Sequence, residues 1–133
     1  MRLSVSDRTI SNMPVIQENF LVVKVSSAAW EAAAGDRVRF IPAVLARVAS
    51  AVGALGDTNW PGRPKALIIS NPHATASVYL QSINGAVGDA WAAGEGLVIP
   101  AGQSLYIGYS NQGSLLDDLT YEAAQDFAVA VLY

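Results

Sequence analysis

The sequence predicts an all-β protein, a single antiparallel β-sandwich of jelly-roll-like type. Two observations carry this. Short runs rich in Val, Ile, Phe and Tyr recur along the chain, several with apolar residues at every second position. Gly, Pro, Asn and Asp clusters separate them, as sandwich and barrel chains require. A length of 133 residues suits one domain able to bury a core. No Pro-, Gly- or Ser-rich linker divides the chain. We expect an N-terminal arm over residues 1–19 and the sandwich over 20–133.

The first expected strand is Phe20–Val25, FLVVKV. Residues 36–41, DRVRFI, alternate Val38 and Phe40 with Arg37 and Arg39, as in a half-buried strand. Residues 43–55 admit two readings. Val44, Leu45, Val48, Val52 and Leu55 fit a helical stripe, and Val44, Ala46, Val48 and Val52 fit an alternating one. Pro42 suits the first turn of a helix and tips the balance slightly toward it. GDTNWPGRP, from Gly56 to Pro64, is a loop by composition. Strands are expected at residues 66–70, 76–81, 96–99, 104–109 and 126–132. Pro100 and Gly102 supply turn chemistry between the third and fourth of these. Residues 116–125 suit a short helical turn.

Charged residues make up only 14% of the chain, against roughly 25% in an average soluble domain. Such a deficit suits a protein whose surface is partly covered in an assembly, so a homo-oligomer is expected. All eight Lys and Arg lie at or before Lys65, with five acids, a net +3; six acids and no base follow, a net −6. One reading is a basic N-terminal part that docks on an acidic partner. The favoured one is that the two halves interleave in the sandwich and the asymmetry averages out. A net charge of −3 argues against nucleic acid as a partner. The uncharged stretches 66–88 and 96–116 are broken by Asn, Pro, Ser, Gly and Gln and do not read as membrane spans. The N-terminus carries Arg2, Asp7, Arg8 and Glu18 without an apolar core, unlike a signal peptide.

Catalytic and metal chemistry find little support. With no cysteine, disulfides and thiolate sites are excluded. The single histidine, His73, follows Asn71 and Pro72 between two strands; Pro72 cannot donate to a ladder. His73 is expected as an exposed turn residue. GYSNQG, residues 108–113, is not a G-x-S-x-G elbow, because its second Gly comes one residue late. Asp117, Asp118, Glu122 and Asp126 form the densest acidic group, without the alternating acids and central Gly of a calcium loop. It is expected as a solvated loop. No catalytic residue, metal or cofactor is expected. Trp30, Trp60 and Trp91 lie outside the strands. Trp30 and Trp91 are expected to cap the core; Trp60 is the best interface candidate among them, and exposed tryptophans would also suit sugar stacking.

The C-terminal half quotes a pattern: the strand ALIIS, then NPHATASVY, a turn-rich segment through GEGLV, then PAGQSL and the closing FAVAVLY. Written as N-P-x-A-T-x-x-V-Y followed by P-x-G-x-S-L, it resembles small structural proteins of tailed bacteriophages. The resemblance spans roughly residues 63–133, about half of the chain. It implies a non-enzymatic β-sandwich of the virion, most readily a capsid decoration (cement) protein. Its partners would be the major capsid protein or other virion proteins, and its place the virion. Candidate interface residues on that reading are Arg2, Arg8, Trp60 and Arg63. The first half departs from the pattern, which leaves a tail adaptor or fibre-base domain open, and a carbohydrate-binding module beside them.

Overall fold

The computed structural model describes residues 19–56, 59–82, 91–108 and 119–133. The expected arm lies outside these residues, except for Asn19. Seven strands form among them: β1 (Phe20–Val25), β2 (Ala66–Ser70), β3 (Val78–Ser82), β4 (Leu97–Ile99), β5 (Ser104–Gly108), β6 (Leu119–Ala123) and β7 (Phe127–Leu132). One helix, α1 (Phe40–Leu55), stands between β1 and β2. The strands make two antiparallel sheets, ordered β1-β7-β2-β5 and β4-β3-β6. The chain changes sheet from β2 to β3, from β4 to β5, from β5 to β6 and from β6 to β7. That is jelly-roll-like connectivity. A full jelly roll has eight strands, and the eighth place, beside β6, is taken by the segment leading into α1.

Alternation decides what each sheet buries. In β7 the odd residues Phe127, Val129 and Val131 point into the sandwich, and the even ones are half-buried on the other side. Val23 and Val25 of β1, Leu67 and Ile69 of β2, Val78 and Leu80 of β3 and Ile99 of β4 complete the core with Phe40, Ile41, Val44 and Val48 of the helix. Burial of Val44 and Val48 with Ala46 exposed settles residues 43–55 as helix, since the alternating reading needs Ala46 inside. The helix ends at Gly56, whose φ of 67° is left-handed and whose N–H donates to the Val52 carbonyl.

Two expectations are corrected. Residues 36–41 are not a strand. A 3-10 turn spans Ala34–Asp36, Arg39 makes a single bridge to Thr120, and the helix starts at Phe40. Phe40 is fully buried against Tyr121 and Phe127, with ring centroids 5.8 and 6.3 Å away, and Pro42 two residues later supplies no N–H to a ladder. Residues 119–123 are not a helical turn but the strand β6. It pairs with β3 on one side, and its other edge is covered by the segment before α1. There Ala28 and Ala123 exchange N–H···O bonds of 2.9 Å, and the Tyr121 N–H donates to the Val38 carbonyl at 3.1 Å. An open strand edge is thereby closed to pairing with other chains.

Of the strands, only β1 comes from the part before Lys65, and it lies at the edge of its sheet against β7; β2, β5 and β7, like the strands of the second sheet, follow Lys65, so the two parts do not alternate strand by strand.

Candidate functional site

Three places gather polar or aromatic side chains, and one face gathers apolar ones. The first place is the corner after β2. Asn71 is 1% exposed, and its Nδ2 donates to the carbonyls of Ala76 at 2.8 Å and Ile99 at 3.0 Å. Its Oδ1 accepts the His73 N–H at 3.3 Å, and its backbone bonds to Gln103 and Gly102. The side chain thus ties the β2–β3 corner to the β4–β5 turn. His73 is half-buried instead of exposed, because its Nε2–H donates to the Asp126 carbonyl. The Asp126 carboxylate in turn accepts the Ser27 N–H at 2.9 Å. This is a structural junction around one imidazole and one carboxylate.

The second place is the turn before β4. Gln81 is buried, and its Nε2 donates to the carbonyls of Ala92 and Glu95 at 3.1 and 3.0 Å. The Glu95 carboxylate accepts the Ala92 N–H at 2.7 Å, and Glu122 accepts the Gly94 N–H at 3.0 Å. Gly96 has φ 113°, and a Cβ there would stand 2.4 Å from the Leu80 carbonyl oxygen. Only glycine lets the turn approach β3 so closely.

The third place surrounds Trp30. Arg37 lies over the ring, 5.0 Å from its centre, and is fixed there by hydrogen bonds to the Glu31 and Ala32 carbonyls. The Trp30 Nε1–H is buried and has no hydrogen-bond partner among the described residues. A depression of about 370 Å³ adjoins it, lined by Ser27, Ala28, Trp30, Glu122 and Ala124 among others.

Of the acidic group, the two described members, Glu122 and Asp126, do not share a partner. Asp117 and Asp118 lie outside the described residues. Among the described residues no three His, Cys, Asp or Glu side chains gather as a metal site would require. Most of GYSNQG also lies outside them. Trp91 is half-buried and donates to the Ser82 carbonyl at 2.9 Å. Trp60 packs against the core, edge-on to Tyr133 at 5.1 Å, with Arg63 exposed on the same loop. Arg2 and Arg8 lie outside the described residues.

Among the described residues, Tyr121 carries the one titration shift of note. Burial raises its phenol above the usual value, the Arg47 charge opposes this, and Asp126 adds to it. Its hydroxyl donates to the Ser26 carbonyl at 2.9 Å. A raised native pKa means the folded state holds the proton more tightly than the unfolded one. This contribution is complete below about pH 10, the unfolded value, and is lost as pH rises through the folded pKa. Tyr121→Phe should therefore flatten the alkaline decline in stability, while costing about 1 kcal/mol at neutral pH for the lost hydrogen bond. Urea titrations at pH 7 and at alkaline pH check both; an unchanged alkaline slope would count against the assignment.

The apolar face is the outer side of the four-stranded sheet. Register puts three rows across it: Phe20, Leu132, Ala66 and Gly108; Val22, Ala130, Ile68 and Tyr106; Lys24, Ala128, Ser70 and Ser104. Phe20 is 50% exposed, Val22 58% and Tyr106 65%. Lys24 is the only charge in the three rows. A shallow depression of about 460 Å³ adjoins the third row, bounded by Val22, Lys24, Pro72, Asp126 and Ala128 among others. Sequence reasoning missed this face. Its signal was present in β7, where Ala128, Ala130 and Leu132 put apolar residues at the positions a solvated strand fills with polar ones.

Compared with protein-family models, with curated proteins and with solved structures, the chain matches none.

Proposed function

We propose that the chain is a non-enzymatic structural protein of a tailed-phage virion, a decoration protein that binds the outer head surface and stabilises the shell. The observation that carries an assembly role is the outer face of the β1-β7-β2-β5 sheet. It exposes three large apolar side chains around a floor of small ones with one lysine at its margin. Soluble monomers seldom leave so continuous an apolar surface open, and such surfaces mark protein contacts. The phage-like pattern in residues 63–133 supports the choice of a virion as that assembly. The major capsid protein is the proposed partner. Binding only the assembled shell would stabilise it by mass action. The jelly-roll-like topology adds nothing by itself, since one fold serves many functions.

Residues 1–18 precede β1 in the chain and lie outside the described residues. On this proposal they latch onto the shell. Deleting residues 2–18 should abolish co-sedimentation with heads lacking the protein, while circular dichroism and melting of the remaining domain stay as they were. Undiminished binding would remove the latch role. A tail adaptor or fibre-base domain is the alternative place in the virion, and negative-stain images of particles with and without the chain separate head from tail. Trp60 and Trp91 give the sugar-binding alternative little support, because both rings are half-buried against the protein.

A further inference from the structure

We propose that the outer face of the β1-β7-β2-β5 sheet docks on the same face of a second copy, about a two-fold axis that runs along the strands between β7 and β2. The inference rests on reading this face as an assembly surface, and it commits the face to one occupant.

Complementarity is the main argument. An axis along the strands lays β1 over the partner's β5 and β7 over the partner's β2, and keeps each row over itself. Phe20 then faces the space above Gly108, Leu132 faces Ala66, and Ile68 faces Ala130. In the third row Ala128 faces Ser70 and Lys24 faces Ser104. Five of the six pairings set a larger side chain against a smaller one or two small ones together. Only Val22 and Tyr106 bring two large groups face to face, and both lie on the edge strands β1 and β5 and are more than half exposed. Interdigitation of this kind is what sheets packed about 10 Å apart need. The other in-plane axis, across the strands, fails the same comparison: it stacks Tyr106 on Tyr106, Ile68 on Ile68 and Val22 on Val22.

Charge and area agree. The lone Lys24 of each copy lies on opposite margins of the joint, about 14 Å from its equivalent at three strand spacings. The two ammonium groups therefore do not confront each other, and each stays near the rim and water. Phe20 and Tyr106, half or more exposed, leave roughly 100–150 Å² each. With Val22, the lysine and the smaller residues the face reaches roughly 600–700 Å². That is close to the ~800 Å² per partner of a stable interface. The joint belongs to the isologous class that most homodimers use.

The test is solution mass of the full chain from low to high micromolar concentration, by sedimentation velocity and light scattering. We expect a dimer for the natural chain. Val22→Arg with Tyr106→Arg should weaken it at least about 100-fold, the effect of placing unpaired charges in an apolar joint. Both residues are more than half exposed, so melting of the monomer should not change. Register has its own test, helped by the absence of native cysteine. A Lys24→Cys, Ser104→Cys double variant should give a covalent dimer with a short bis-maleimide, and neither single variant should. The two positions lie about 14 Å apart within one copy, too far for an internal disulfide. A monomeric natural chain, a dimer indifferent to the arginines, or a cross-link absent from the double variant would each overturn the proposal. A monomer that still binds particles would leave the decoration role standing. A dimer that binds none would leave the joint standing and remove that role.

Discussion

Phe40→Ala should lower stability by about 4 kcal/mol, within the range for deleting a fully buried aromatic side chain. The residue is 0% exposed. Its ring stacks beside Phe127 of β7 and meets Tyr121 of β6 edge-on, and those two rings meet each other at 5.5 Å. The three aromatics therefore join the helix to both sheets at the side where β1 and β6 end them. Truncation empties that junction, and because backbone from three elements frames it, collapse into the space is limited. The loss is a large part of the total for a domain of this size. Melting should fall by roughly 15 °C. Phe40→Leu should recover most of the loss, and Leu55→Ala, on a side chain 69% exposed, should change little. Urea denaturation of the three variants measures this. A Phe40→Ala loss no larger than that of Leu55→Ala would show that the helix start is not part of the core.

Asn71→Leu should cost about 3 kcal/mol, although it adds apolar volume at a buried position. Two carbonyl oxygens, of Ala76 and Ile99, lose their donor, and each buried acceptor left unpaired costs about 1–3 kcal/mol. The His73 amide loses its acceptor as well. The change should spread along the corner: amide hydrogen exchange at His73, Gly102 and Gln103 should speed up more than exchange in β7. Asn71→Asp should be at least as damaging, since a carboxylate would face two carbonyl oxygens. His73→Ala, which removes one bond at a half-buried site, should cost much less. If the histidine change proved the more harmful, the ranking of the two residues would be reversed.

That ranking shows where sequence reasoning reached and where it stopped. In the stretch NPHATAS the histidine is the conspicuous residue by chemistry, yet the asparagine before the proline holds the corner. Nothing in the local sequence distinguishes Asn71 from an ordinary turn residue. Its donors find partners 5 and 28 residues away, so the role exists only once β4 has come to lie beside β3. Gln81 is the same case, with a side chain that binds the turn before β4. The apolar outer face was half legible. Each strand alone showed apolar residues on both sides, but which side is the core and which is open depends on the order β1-β7-β2-β5.

What the sequence determined by itself was the fold class, six of the seven strands to within two residues at either end, the helix as the favoured of two readings, and the turn at Pro100–Gly102. Those follow from local physics: side-chain alternation, β-branched propensity and the backbone limits of proline and glycine. The tertiary structure decided the rest. It made a strand of residues 119–123 by supplying ladder partners on both edges. It turned residues 36–41 away from a strand, because Phe40 gains more by meeting Tyr121 and Phe127 than by pairing in a ladder. It also left Phe20, Val22 and Tyr106 exposed on the outer face of one sheet. Hydrogen-bond partners and burial are long-range properties, set by which strands meet, and a local pattern of residues does not contain them.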